Sequence, residues 1–477
     1  MRKTKRNKQL HQSQLALLNF NKDVRRKNRL QRLKAGWLKY VDDVRKKCIE
    51  NKIEFVKPYF GRERYLKSLP PKPPYSNTIQ YLSSVDNAFG KKTRKANKDG
   101  VFEIPEIFSL TEEYQKSYAF LKGLYDTLYN QSLEQIIFDY ANCKRIDVDA
   151  SVCMDIMLRD FIEYYKQCRR RGHVVNVIEI KPINHTQPHI LKILFSIGAY
   201  TSIKKVAINF PDIIPYRLCV ADNAHPKASA IREIHITNLV EYVLLCMKEM
   251  NRTLTPEAED NLFKVIGEVL INSEEHSTCR QRYSIGYFQH SDNGDEHIGI
   301  FNLVILNFGK TIYEKFSDPN CPNREVVGQM KALSDAYTRR KLFSPAEFEE
   351  ETLWTLYSLQ EGVTSKADWK RGNGSIRFIE SFFNLKGDQG KDNISYLTIV
   401  SGNTRITFDG NYRVKEVVKG KDKKAFKMMT FNESGDIGEK PDKKYVTFVD
   451  TYFPGTIISA RISIKDNNTE IPENEQH

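Results

Sequence analysis

Glu268, Asn272 and His276 recur four residues apart in GEVLINSEEHS, residues 267–277. On a helix, positions i, i+4 and i+8 share nearly one face. That face carries a carboxylate, an amide and an imidazole. Leu262, Phe263, Ile266, Val269 and Leu270 form an apolar stripe beside it. A helix that buries one side and presents such groups on another is a candidate wall of a site. Two further stretches pair polar residues with glycine: Asn307-Phe308-Gly309, at the end of LVILNF, and Arg371-Gly372-Asn373-Gly374, opening SIRFIESFF.

These residues need a frame, and the surrounding pattern predicts an α/β arrangement of strands and helices. Thr255 is placed to cap the helix, with Pro256 at its first position and Glu257 and Glu259 suiting its dipole. After it, RYSIGYFQ and HIGIFNLVIL read as two strands joined by a turn holding Asn293-Gly294, a hairpin signal. A mainly helical stretch follows. Then come a hairpin in YLTIVSGNTRITF, a loose Lys-rich insertion over 411–443, and closing strands in YVTFVDTYFPGTIISARISI.

Upstream, strands alternate with helices, which argues for a sheet covered by helices. VFEIPEIFSL is a strand and turn, and Thr111 caps a helix through SYAFLKGLYDTLY. EQIIFDYANC is a strand, and Asp149 caps a helix whose buried face holds Met154, Met157, Leu158, Phe161, Ile162 and Tyr165. Gly172 ends that helix. HVVNVIEI, HILKILFSIGAY and KKVAINF continue as strand, helix and strand. Residues 58–99 and 211–235 read as irregular connectors, the second leading to a helix in HITNLVEYVLLCMKEM.

Composition sets further bounds. A chain of 477 residues suggests two or three domains. No apolar run reaches the roughly 18 residues of a membrane span. The basic start MRKTKRNK is followed by QLHQSQLALLNF, too polar and short for a signal-peptide core, so a cytoplasmic location is expected. The eight cysteines are scattered without a C-x-x-C pair, indicating neither a zinc ribbon nor a disulfide framework. Of the net charge of +14, residues 1–60 carry +13 (18 Lys and Arg minus 5 Asp and Glu). Within residues 1–57, Leu30, Leu33, Trp37, Val41 and Val44 recur at helical steps between basic residues. Such a helix packs on its own protein, or binds nucleic acid, an anionic surface or an acidic protein partner, and composition leaves these open.

Two resemblances follow from these motifs. Over roughly residues 100–210, IIFDYANCKRIDVDAS and RRRGHVVNVIEI resemble the STAS domain of anti-sigma-factor antagonists. In those proteins a partner kinase phosphorylates a Ser in the acidic turn. Here the turn reads Asp147-Val148-Asp149-Ala150-Ser151, with Ser151 displaced, which favours a structural or docking role.

Over about 236–465, GEVLINSEEHS, LVILNFGKTI and RGNGSIRF occur in the order of the GHKL ATP-binding fold. That fold is shared by histidine kinases, anti-sigma kinases, gyrase, heat-shock chaperones and mismatch-repair ATPases. The resemblance implies ATP and Mg²⁺ as cofactors. It makes Glu268 the base that orients water or a hydroxyl, and Asn272 an oxygen ligand of Mg²⁺. It places His276 near the phosphates. Asn307 stands where the family has an Asp that accepts from the adenine amino group, and Gly309 follows it. The resemblance makes residues 312–370 a movable lid, and Thr311, which replaces the family's second glycine, alters its hinge. Gly372 and Gly374 would let backbone N–H groups approach phosphate at a helix start. Lys366 or Arg371 would add charge, with Thr364 and Ser365 as secondary candidates. FPGTIISARI resembles the family's closing strand, with Gly455 and Thr456 near the sheet edge; in some members a Thr there contacts the nucleotide region, and no site role is assigned to either residue here.

The expected organisation is therefore a basic helical arm and linker (1–95), a STAS-like α/β domain (96–225), a GHKL-type α/β sandwich (226–465) and a disordered tail (466–477). The expected function is regulation by Mg-ATP binding or slow hydrolysis that switches partner contacts. Two alternatives are a serine/threonine kinase of the anti-sigma type and a non-catalytic nucleotide-binding scaffold. A protein partner, nucleic acid through residues 1–57, and a homodimer stay open as partners.

Overall fold

In a computed structural model the chain is a mixed α/β protein with several sheets. The structure describes residues 28, 31–32, 35–43, 45–46, 49–50, 77–82, 100–130, 135–170, 179–198, 208–276, 278–293, 296–339, 346–366, 374–386, 392, 394–419 and 424–465. Arg371, Gly372, Gly172, most of KKVAINF, most of the arm, and the tail lie outside these residues. So does the side chain of His276. Two units divide the chain: Met1–Pro73 with Tyr164–Asn176, and Pro74–Glu163 with Val177–His477. In the first, residues 35–43 are helical, Trp37 is buried and Val41 half-buried, as the arm's periodicity predicts.

The second unit opens with α1 (Asn77–Leu82), a helix inside a stretch read from sequence as irregular. Its Thr78 is fully buried and bonds Tyr283 Oη at 3.0 Å. A parallel sheet follows, in the order β1 (Val101–Glu103), β3 (Gln135–Asp139), β5 (Glu179–Ile183). A smaller parallel pair joins β2 (Ile107–Phe108) to β4 (Arg145–Ile146). Between the strands run α2 (Tyr114–Asn130), α3 (Val148–Arg170) and α4 (Pro188–Ser196). Asp149 does not cap α3 but sits in its first turn. Asp147 O accepts from Ser151 N, and the Asp149 carboxylate takes Leu110 N and Ala150 N. Burial and the neighbouring Asp147 charge raise the Asp149 pKa. Residues 148–158 are buried all round, a wider face than the helical stripe predicted.

The remaining elements build a five-stranded antiparallel sheet in the order β6-β7-β8-β12-β9. These are β6 (Ile213–Asp222), β7 (Gln281–Asn293), β8 (Glu296–Phe308), β9 (Tyr396–Phe408) and β12 (Val446–Lys465). One face is covered by α5 (Ala228–Glu249), α6 (Pro256–His276) and α10 (Gly374–Asn384). Across β9 lie α7 (Ile312–Phe316), α8 (Arg324–Thr338) and α9 (Glu350–Ser358).

Three sequence expectations are corrected here. Residues 213–222 are the edge strand β6 rather than part of a connector. Pro215 lacks an N–H to donate, and an edge position tolerates that. YLTIVSGNTRITF is one strand, not a hairpin. Gly402 takes φ +59° at an irregularity in the β9–β12 register, where a Cβ would meet Glu351 Oε1 at 2.1 Å. The Lys-rich segment is not a loose insertion over its described residues, 411–419 and 424–443. It forms the hairpin β10 (Lys415–Lys419) and β11 (Lys424–Met428) and buries Met428, Met429 and Phe431 in the core.

Candidate functional site

Helix α6 is fixed from both ends. Thr255 Oγ1 accepts from Ala258 N at 3.2 Å, the cap predicted. Leu262, Val265, Ile266, Val269 and Leu270 bury the stripe, whereas Phe263 is 37% exposed and Val265 takes its place. Near the C-terminal end, Glu274 is 2% exposed and meets the fully buried Arg282 of β7. Arg282 Nε and Nη2 donate to Glu274 Oε1 at 3.2 and 3.1 Å. Arg232 Nε lies 3.1 Å from the other carboxylate oxygen, as an ion pair without hydrogen-bond alignment. His235 Nδ1 lies 3.2 Å from Arg282 Nη2, and burial together with that cation lowers its pKa.

Arg282 also begins a row across the sheet. It pairs with Asn307 on β8, Asn307 with Thr456 on β12, and Thr456 with Ser401 on β9. Directly opposed residues point to the same face. Ser401 Oγ lies 3.0 Å from Thr456 Oγ1 and accepts from Ile312 N, the first residue of α7, at 3.0 Å. One end of the row thus holds α6 and the other holds α7.

Between them lies a cavity enclosing about 940 Å³, open solvent at its mouth included. Asn272 and Ser273 reach it from α6, Asn307 from β8 and Thr456 from β12. Lys315 comes from α7, Thr364, Ser365 and Lys366 from the segment after α9, and Ser375 from the start of α10. Val269, Ile312, Ile399 and Ile458 supply apolar wall. Asn272, Asn307 and Lys366 were predicted site residues, and they meet here together with Thr364, Ser365 and Thr456. Glu268 does not line the cavity. It lies half-buried one turn before Asn272.

Gly309 and Gly374 are not lining residues either. Gly309 has φ +132°, and a Cβ there would sit 2.3 Å from Thr278 Oγ1 and 2.5 Å from Thr278 N. Its carbonyl accepts from Tyr81 Oη at 3.1 Å. Close packing explains this glycine. Gly374 opens α10, beside the lining residue Ser375.

Sequence reading missed Lys315. It sits on a five-residue helix, too short for periodicity to reveal. The usable signal was Thr311-Ile312-Tyr313-Glu314, a capping box that forms in full.

The chemistry of the lining is one-sided. Among the described lining residues are two lysines, two asparagines and several hydroxyls, but no Asp, Glu or His. Asn307 is 3% exposed, and its Nδ2 has no hydrogen-bond partner. A buried unsatisfied amide costs about 1–3 kcal/mol, which a ligand's acceptor would recover. Among the described residues no group of three or more His, Cys, Asp and Glu could hold a metal. The donor set suits an anionic, partly apolar ligand. A hard cation would enter with the anion's own oxygens and Asn272. Among the described residues, no helix is long and apolar enough to cross a membrane. Comparison with family models, with curated proteins and with solved structures returned no match.

Proposed function

We propose that this cavity binds Mg-ATP and that binding regulates the chain's contacts with a partner. The observation that carries the proposal is the convergence of Asn272, Asn307 and Lys366. Three separate stretches of sequence, each singled out by resemblance to the GHKL fold, contribute to one cavity lined by cations and hydroxyls. The antiparallel sheet backed by α5, α6 and α10 supports the same reading, and the parallel β1-β3-β5 sheet supports a STAS-like segment before it.

In this proposal the Asn307–Thr456 end, beside Ile399 and Ile458, takes the base. An amide both donates and accepts, so Asn307 can meet a purine edge with either atom. Lys366, Thr364, Ser365 and the start of α10 take the phosphates. Asn272 would hold Mg²⁺, which when bound neutralises charge on phosphate oxygens. The chain's contribution to any turnover would be Glu268 orienting a water or hydroxyl.

A second reading, nucleotide binding without turnover, is favoured by one specific observation: Glu268 does not line the cavity. The test is calorimetric titration with Mg-ATP, alongside phosphate release by the wild-type chain and by Glu268→Ala. Saturable binding is expected, and no detectable binding by the intact chain would sink the proposal. Phosphate release that Glu268→Ala abolishes while keeping affinity assigns the base. Release that persists removes Glu268 from that role.

A further inference from the structure

We propose that Lys315 is the residue that reads the phosphate charge of the bound nucleotide, an assignment that rests on the nucleotide reading above. Lys315 projects from α7 into the cavity and is partly buried. Among the described residues its ammonium has no hydrogen bond or ion pair.

The nearest candidate counter-charge is already engaged. Glu314 Oε2 accepts from Thr311 N at 2.8 Å and Oε1 from Tyr452 Oη at 2.8 Å, so the carboxylate is held in the helix cap. Lys310, on the approach to α7, is paired with Asp318 at 2.7 Å and adds only repulsion. The cavity wall adds a second cation, Lys366, and no carboxylate. A cation held in partial burial without an anion is costly unless a ligand supplies the charge.

The helix that carries this lysine is also well fixed. The capping box closes its first turn, Ser401 Oγ holds Ile312 N, and Phe316 is buried beneath it. A side chain placed so firmly and left without a partner suits a preformed anion subsite.

The electrostatics agree. Burial pulls the Lys315 pKa down to about 7, against the attraction of Glu314 and with Lys310 contributing. A lysine brought down this far is part neutral near pH 7. A bound polyphosphate favours the charged form, so binding takes up a proton. At pH 8 a group of pKa about 7 is about one-tenth protonated, so uptake approaches 0.9 proton per nucleotide bound. Above that pH, affinity falls up to about tenfold per pH unit, because each unit removes another tenfold of the binding-competent protonated form.

The experiment is calorimetry of the full chain with Mg-ATP and with adenosine, in buffers of different ionisation heat at pH 8. Wild type, Lys315→Met and Lys315→Arg are compared, with thermal melts as the check on folding. Expected results are proton uptake near 0.9 for wild type with ATP and none with adenosine. Lys315→Met should lose affinity for ATP about tenfold or more, keep its affinity for adenosine and show no uptake. Lys315→Arg should retain ATP affinity without uptake. Undiminished ATP affinity in a folded Lys315→Met, or equal loss for ATP and adenosine, would overturn this assignment alone. Absence of nucleotide binding by wild type would overturn both this assignment and the function it rests on.

Discussion

Removing the Glu274 carboxylate should unfasten α6 from the sheet. Glu274 and Arg282 are 2% and 0% exposed, so water cannot replace either partner. In Glu274→Ala, Arg282 Nε and Nη2 lose the acceptor they reach at 3.2 and 3.1 Å, and Arg232 loses its ion pair. Hydrogen bonds involving a charged group contribute about 1.5–3 kcal/mol each. Two such bonds, with a buried guanidinium left half-satisfied, put the loss at about 3–5 kcal/mol, the range for a broken buried pair. Arg282 keeps Ser284 Oγ at 3.2 Å, so the lower half of that range is expected. The double variant Glu274→Leu with Arg282→Met removes both charges and should recover most of the loss. Urea unfolding of the wild type, Glu274→Leu, Arg282→Met and the double variant, extrapolated linearly to water, gives the coupling directly. A loss under about 1 kcal/mol, the value for an exposed pair, would refute the claim that this pair anchors the helix. So would strict additivity of the two single effects.

Two further outcomes follow from the same row of residues. Asn307→Leu removes the unpartnered Nδ2 and should leave thermal stability unchanged or raised by up to about 1–3 kcal/mol while weakening Mg-ATP binding; melting curves and titrations together check this, and a clear loss of stability would contradict it. The folded-state pKa of His235 is lowered, so the unfolded chain binds more protons below the ordinary value near 6.5. Stability should therefore fall as pH drops from about 6.5 towards the folded value, and His235→Gln should flatten that slope in unfolding curves measured across the window.

The sequence revealed Asn272 and Asn307 because they lie on long periodic elements, and it hid Lys315 because its element is short. Asn272 and Asn307 sit on a helix of 21 residues and a strand of 13, whose apolar periods could be counted. Lys315 sits on a helix of five. Its capping box was present in the letters, but it competed with a resemblance that reads the same letters as a glycine box. Gly309 shows the reverse error. A glycine that packs against Thr278 under Tyr81 looks in sequence like one that admits a ligand, because both need the missing Cβ. Pro215 and the Gly402-Asn403 pair misled in a similar way, since breakers mark an edge strand and a strand irregularity as readily as a loop.

Tertiary packing decided what local signals could not. Met428, Met429 and Phe431 carry the Lys-rich segment into the core because their burial outweighs nearby lysines such as Lys415 and Lys440, which stay exposed. The same dependence governs the site. Asn307 and Thr456 meet because β12, nearly 150 residues after β8 in the chain, pairs directly with it. No local pattern contains that pairing. The row Arg282, Asn307, Thr456, Ser401 exists only once four strands are in register. Shifting that register by one residue would turn Asn307 away from the cavity and, in the same step, release both α6 and α7. The cavity and its supports are therefore specified together. A variant that loosens either end of the row should lose ligand affinity before it loses the sheet.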